Sequence, residues 1–332
     1  MPVSATVQQI NHERVIGLAT DTSRVEVWPT RGFNCATWQI RKADGSWGDI
    51  LFSMPDWIEN PVPTRSGHPI LFPFPNRLAR GRMTFQGRSY QLPLTEATRA
   101  HAIHGFTPRV PWRVLGTGTT GDTAFVIGQF RMSDHVEHSR DLWPGDLTLT
   151  VTYLLSEMNF DVRAELENRG DEIAPYGLGY HAYFRHPLAP HEEGIDRCRY
   201  RSRASLIWEC DANIPTGSLS PIPDNLDFRI ERPLATTVFD TLLTGMSTAA
   251  GLNDVGSLAH PDFPGRVVVM ADETFPHLVV FTPPHRRAIA IEPYTCATNA
   301  ANLDETRPHG WRSLAPGLKM KHDVSYRWVA TP

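Results

Sequence analysis

Leu147-Thr148-Leu149-Thr150-Val151-Thr152-Tyr153-Leu154-Leu155-Ser156-Glu157-Met158-Asn159-Phe160-Asp161-Val162-Arg163-Ala164-Glu165-Leu166 decides the fold class. Leu147, Leu149, Val151, Tyr153 and Leu155 share one face of an extended chain, and Thr148, Thr150 and Thr152 share the other. After the polar connection Ser156-Glu157-Met158-Asn159 the alternation resumes at Phe160, Val162, Ala164 and Leu166. A period of two is that of a half-buried strand, so the stretch predicts a β-hairpin. Outward from it, Arg82 to Leu92 predicts a second hairpin turning at Gln86-Gly87, and Val110 to Phe130 a third with residues 116–121 as its loop. Further strands are expected at 24–28, 35–40, 205–208, 266–270, 277–281, 288–291 and 324–329. Helical periodicity is confined to 95–103 and 303–314, a turn or two each. Many short strands with Gly/Pro turns and few helices predict an all-β antiparallel sandwich or barrel. No G-x-G-x-x-G links a strand to a helix, which removes the dinucleotide-binding alternative.

The 332 residues suffice for two average domains or one large β domain, and one continuous domain over 1–332 is the simplest account. Hydrophobic residues make up 41% and charged residues 20%, the profile of a chain that folds around a core. A net charge of −4 and the lack of a basic stripe argue against nucleic acid as a partner. Lysine occurs only at Lys42, Lys319 and Lys321, so 29 of the 32 basic residues are arginine; codon bias explains that without any phosphate site. The four cysteines form no C-x-x-C and are too few for a disulfide scaffold. Met1 to Thr20 carries no secretory pattern and no apolar run is long enough to span a membrane, so a cytoplasmic protein with free thiols is expected.

Between residues 54 and 75 lie Pro55, Pro61, Pro63, Pro69, Pro73 and Pro75. Such a segment is no central strand. Phe72 and Phe74 among the prolines favour a packed loop that delivers Asn76-Arg77 to a site. His181 sits in Gly179-Tyr180-His181-Ala182-Tyr183-Phe184, where it reads either as a core histidine or as an acid beside an aromatic wall. Glu292 follows the apolar run Ala288-Ile289-Ala290-Ile291, and a carboxylate there is costly unless paired; Pro293 is expected to end the ladder. An ion pair with an arginine is the structural alternative. Arg77 offers a rigid donor fork suited to vicinal hydroxyls or a carboxylate. His101 and His104 have metal-ligand spacing, but no third ligand is near in sequence, so no metal is assigned. Asp240 either accepts hydrogen bonds from a ligand or caps a turn.

Together these motifs, in this order, make the chain resemble the aldose 1-epimerases, or mutarotases, galactose mutarotase among them. The resemblance runs from about residue 10 to about residue 330. Its carriers are the segment Pro69 to Leu78 with Gly81, Phe85, Gly87, Tyr90 and Leu92, then His104-Gly105, Gly179 to Phe184, Asp227-Phe228-Arg229 with Phe239-Asp240, and Ile291-Glu292-Pro293 with Leu314 to Gly317. Ala182 stands where proline is usual, and Tyr294 where a small or β-branched residue is common. The resemblance implies a large antiparallel β-sandwich, the galactose mutarotase-like supersandwich, with a sugar cleft on a concave sheet. It implies interconversion of the α and β anomers of an aldose, a monosaccharide substrate and no cofactor. Glu292 is then the base and His181 the acid; Arg77, His104, Asp240 and Asn76 hold hydroxyls, and Tyr183 or a tryptophan stacks on the sugar. Asp224 and Asp227 compete with Asp240 for its role.

Three other readings stay open on the sequence. Asp240 and Glu292 suit a glycosidase, which needs two carboxylates. A carbohydrate-binding module would use the same sandwich without catalysis. An anionic hexose, phosphorylated or sulfonated, would engage arginines near Arg77 such as Arg65, Arg80 and Arg82.

Overall fold

In the computed structural model, which describes residues 3–330 apart from 61, 191 and 248, the hairpin Leu147–Ser156 and Asn159–Asn168 pairs from Leu147↔Asn168 to Ser156↔Asn159 across a two-residue turn. Leu147, Leu149, Val151, Tyr153 and Leu155 are wholly buried, as the alternation requires. The hairpin supplies the third and fourth strands of a nine-stranded antiparallel sheet. In spatial order its strands are Arg113–Thr120, Thr123–Arg131, the hairpin pair, Lys319–Val329, Arg266–Ala271, Asn253–Ala259, Arg199–Ser202 and Arg232–Pro233.

An eight-stranded sheet faces it, in the order Ile214–Pro221, Leu206–Asp211, Asp240–Thr244, His277–Phe281, Ile289–Tyr294, Gly179–Tyr180 and Ile70–Leu71, with Tyr183–Phe184 also paired to Ile289–Tyr294. A third sheet runs in chain order through Ser4–Ile10, Glu13–Ala19, Ser23–Trp28, Asn34–Arg41 and Trp47–Asp49. Aromatic side chains fill the interior: Phe184 meets Tyr326 between the two large sheets at 5.4 Å, and Phe160 of the nine-stranded sheet meets Trp38 of the third sheet at 5.9 Å between ring centroids. One hydrophobic cluster runs from Ile16 to Trp328. Such face-to-face packing of antiparallel sheets is a β-sandwich. Pro61 and the ends of the expected 1–332 domain, residues 1, 2, 331 and 332, lie outside the described residues.

The Gln86-Gly87 turn is found where expected, between Arg82–Phe85 and Arg88–Gln91, with φ of 48° and 77° at its two residues. The third hairpin differs from expectation. Its turn is Gly121-Asp122, and residues 116–120 continue the strand past a bulge between Val114 and Gly116. The cluster of glycines and threonines reads as a loop by composition, yet two-residue hairpin closure needs only Gly121 in the left-handed region (φ 54°). The helical expectations shrink as well. Residues 95–103 hold a single 3₁₀ turn, Ala97–Arg99, and 303–314 hold none, only the strand Arg312–Leu314. Among the described residues the α-helices are Met132–His135 and Ser139–Leu142, one turn each. No described helix is long and apolar enough to cross a membrane.

The load on the central hairpin is measurable. Leu149→Ala removes a wholly buried side chain and is expected to cost about 2–5 kcal/mol of unfolding free energy in denaturant titration. A change below about 1 kcal/mol would contradict the packing described.

Candidate active site

Period-two alternation also builds the site. Tyr180, Ala182 and Phe184 enter the core between the sheets, so His181 and Tyr183 face the opposite way, into a cleft of about 440 Å³. On the next strand Ile289 and Ile291 enter the core, so Glu292 faces the cleft. Leu278 and Val280 do the same for Val279 and Phe281. The three strands are neighbours, and the register pairs Glu292 with Val279 and Tyr294 with Gly179.

Pro293 does not end the ladder as expected; pairing continues through Leu278↔Pro293 to His277↔Tyr294. The amides on either side of it in register, Ile291 N–H and Thr295 N–H, donate toward Ala182 and Leu178. The donor that Pro293 lacks therefore falls opposite Tyr180, at the end of Gly179–Tyr180, where the neighbouring strand is interrupted before Tyr183–Phe184. His181 occupies that interruption. Ala182, between the cleft-lining His181 and Tyr183, points into the core.

Asn76-Arg77 and His104-Gly105 arrive on two arms of one small ladder. Arg77–Leu78 pairs with Ala102–Ile103, and the His104 amide donates to the Asn76 carbonyl at 2.8 Å. Asn76 (φ 55°) and His104 (φ 65°) are both left-handed, which turns each arm sharply over the cleft. Gly105 passes so close to Phe72 that a Cβ there would meet its carbonyl oxygen at 2.0 Å, so no other residue fits.

Asn76, Arg77, His104, His181, Tyr183, Asp240 and Glu292 all line this one cleft. The competing carboxylates do not: Asp224 and Asp227 line a separate surface depression with Arg229. Asp240 opens a strand rather than capping a turn, and it accepts a hydrogen bond from Asn213. His101 is turned away from His104, its Nδ1 accepting the Arg80 amide at 3.1 Å. No cluster of three metal-ligating side chains exists among the described residues.

Glu292 is 1% exposed. Its Oε2 accepts the Tyr294 hydroxyl at 2.6 Å, and its Oε1 lies 3.5 Å from His181 Nε2. Burial pushes the carboxyl well above its usual range, while the Tyr294 hydroxyl and the Arg77 charge pull it back and Asp240 adds to the rise. Burial likewise pulls His181 down to about 3. Burial thus disfavours charge on both members of the pair, carboxylate and imidazolium alike. Tyr183 stacks on the His181 ring at 4.6 Å and donates its hydroxyl to Thr64. It orients the imidazole, and Phe281 supplies the free aromatic wall; no tryptophan lines the cleft.

Two lining residues escape sequence reasoning. Glu96 grips Arg77 with two hydrogen bonds, at 2.8 and 2.9 Å, so the Arg77 fork is already half neutralised. Arg109 frames His104, donating to the carbonyls of Ile103 and Gly105. Neither Arg109 nor Arg65, also in the wall, has an ion-pair partner among the described residues. Arg80 and Arg82 lie outside the cleft, with Arg82 bonded to Gln91. The Arg77 segment was legible from its apolar flanks; Glu96 sits in a polar stretch that gives no such signal.

The aldose 1-epimerase family model matches residues 35–327. The chain belongs to the aldose 1-epimerase family. It is 26% identical over 251 residues to the uncharacterized protein YihR of Escherichia coli, covering 72% of this chain and 75% of that one. It is 28% identical over 172 residues to galactose mutarotase of Mus musculus, covering 48% and 43%. Among solved structures, a galactose mutarotase-like protein from Clostridium acetobutylicum superposes with a TM-score of 0.87 at 21% identity, covering 99% of both chains. Galactose 1-epimerase from Lactobacillus acidophilus gives 0.77 at 16% identity, covering 99% of this chain and 100% of that one. At these identities the superpositions establish the galactose mutarotase-like sandwich, and the family model carries the assignment to the family.

Glu292 also sets a stability expectation. Its carboxyl pKa is higher folded than unfolded, so its contribution is fully present below about pH 4.3 and is lost as pH rises toward the folded value. Glu292→Gln removes that loss and is expected to melt above the wild type at pH 8, with the gap closing toward pH 4.5. A variant that melts lower at pH 8 than at pH 4.5, relative to wild type, would remove the claim of a costly buried carboxyl.

Proposed function

We propose that this protein is an aldose 1-epimerase that interconverts sugar anomers by acid–base ring opening, with no metal or organic cofactor. The observation that carries the reading is the Glu292–His181 contact in the cleft, a carboxyl and an imidazole 3.5 Å apart. Mutarotation needs that inventory: one group to accept the anomeric hydroxyl proton and one to protonate the ring oxygen. With the sugar seated, the pair reacts as carboxylate and imidazolium, the carboxylate favoured by the Tyr294 hydrogen bond and the Arg77 charge. Glu292 then takes the proton from the hydroxyl on C1, the C1–O5 bond breaks, and His181 protonates O5. Rotation about C1–C2 exposes the other face of the aldehyde, and reclosure returns both protons. Arg77, Asn76, His104 and Asp240 hold the ring hydroxyls and so fix the reacting geometry. The whole chain acts as one unit, and its free thiols fit a cytoplasmic location.

The glycosidase reading leaves His181 idle, because the group facing Glu292 is an imidazole rather than a second carboxyl. Exchange NMR of equilibrated galactose, glucose and arabinose tests the proposal. The wild type is expected to accelerate α/β exchange of at least one, and Glu292→Gln and His181→Asn each to lose about 10²–10⁴-fold while remaining folded. Sugar binding without any anomer exchange would replace the proposal with a carbohydrate-binding protein.

A second reading concerns the sugar. Arg65 and Arg109, both in the cleft wall and without carboxylate partners among the described residues, favour an anionic substituent such as a phosphate, sulfonate or carboxylate. Glucose 6-phosphate or glucuronate is then expected to compete at least about 10-fold better than glucose, with an advantage that fades in high salt. Arg65→Gln should remove most of that preference and leave glucose within about 2-fold. Equal competition by neutral and anionic sugars would end this reading and leave the epimerase proposal standing.

A further inference from the structure

We infer that Tyr294 is a positioning residue that assigns separate tasks to the two oxygens of Glu292, one held by the phenol and the other presented to His181 and the sugar. The inference rests on the function proposed above. Glu292 and Tyr294 are two residues apart on one strand, so their side chains leave the same face. The Tyr294 hydroxyl donates to Oε2 at 2.6 Å, and only Oε1 remains toward His181. The phenol is held rigidly. Tyr294 is wholly buried in a cluster with Leu71, Trp208, Leu242, Val279 and Ala297. Its ring lies over Gly179, where a Cβ would come within 2.5 Å of Cδ1. The bare Gly179 thus makes room for the ring in the same register pair that aligns the two strands.

A carboxyl this deeply buried has little access to water and two ways to rotate. A single short donor on Oε2 fixes the rotamer and favours the ionised form by direct hydrogen bonding. Tyr294 stays a donor throughout, since burial and the Glu292 charge hold its own ionisation well above the ordinary phenol range. The other titratable or charged groups around Glu292 are His181 and Tyr183 from the neighbouring segment, Asp240 from the next strand but one, Arg77 from the overhanging arm and Tyr326 from the opposing sheet. Of these, Tyr294 alone has a hydrogen bond to the carboxyl among the described residues.

Two measurements on Tyr294→Phe test the inference. With ¹³C-labelled glutamate, the Glu292 carboxyl of the variant is expected to titrate at higher pH than in the wild type, a readout independent of any sugar. In anomer-exchange kinetics, kcat is expected to fall about 10-fold with KM within about 2-fold, and the high-pH limb, where the Glu292–His181 pair is deprotonated, to move upward. Incorporation of 3,5-difluorotyrosine at position 294 keeps the shape and strengthens the donor, so it should move the Glu292 titration down. An unchanged Glu292 titration in both proteins, or a loss confined to KM, overturns the inference. A wild type that exchanges no anomers overturns the proposed function instead, and the carboxyl titration still decides whether Tyr294 controls Glu292.

Discussion

Glu292 is taken out of water by the sheet that carries it, and the surrounding cleft answers that one constraint. A lone buried carboxylate costs several kcal/mol unless it finds donors or keeps its proton. Here Tyr294 bonds one oxygen, Arg77 lends its charge, and burial favours the protonated form, with His181 Nε2 3.5 Å from the other oxygen. Arg77 in turn is balanced by Glu96, and His181 is braced by Tyr183. Remove the carboxyl and the reason for this chain of contacts goes with it. A protein selected for stability alone would fill the position with an apolar side chain, which is the physical case for reading it as functional.

The register of three strands creates the constraint. Ile289 and Ile291 on one face of their strand force Glu292 to the other, just as Tyr180, Ala182 and Phe184 force His181 outward. The missing amide of Pro293 falls where the neighbouring strand breaks, so the sheet closes around the cleft without an orphaned donor at that point. The sandwich core and the Glu292–His181 pair are thus two faces of one alternating pattern.

That is also why much of the molecule was legible beforehand. The alternation at 147–166 declares a strand pair whatever else surrounds it, and the apolar flanks of Asn76-Arg77, His181 and Glu292 mark polar groups in costly places. Legibility failed where the deciding contact joins residues distant in sequence and polar in context. Glu96 lies in a stretch whose weak helical period gave way to one 3₁₀ turn and a bridge to His101, because its carboxylate is drawn to Arg77. Arg109 looks like any other of the many arginines until His104 is seen beside it. The strand 116–120 was hidden by glycines that suit a loop equally well. Tyr294 stood out only as an unusual residue for the family, and its bond to Glu292 depends on register that no local pattern reports.

The most direct test of the central claim is a crystal structure of Glu292→Gln with a slowly exchanging sugar bound. The account requires the anomeric oxygen within hydrogen-bond reach of position 292 and the ring oxygen within reach of His181 Nε2, with the ring hydroxyls on Arg77, His104 and Asp240. A sugar seated with C1 turned away from residue 292, or bound outside this cleft, would contradict it.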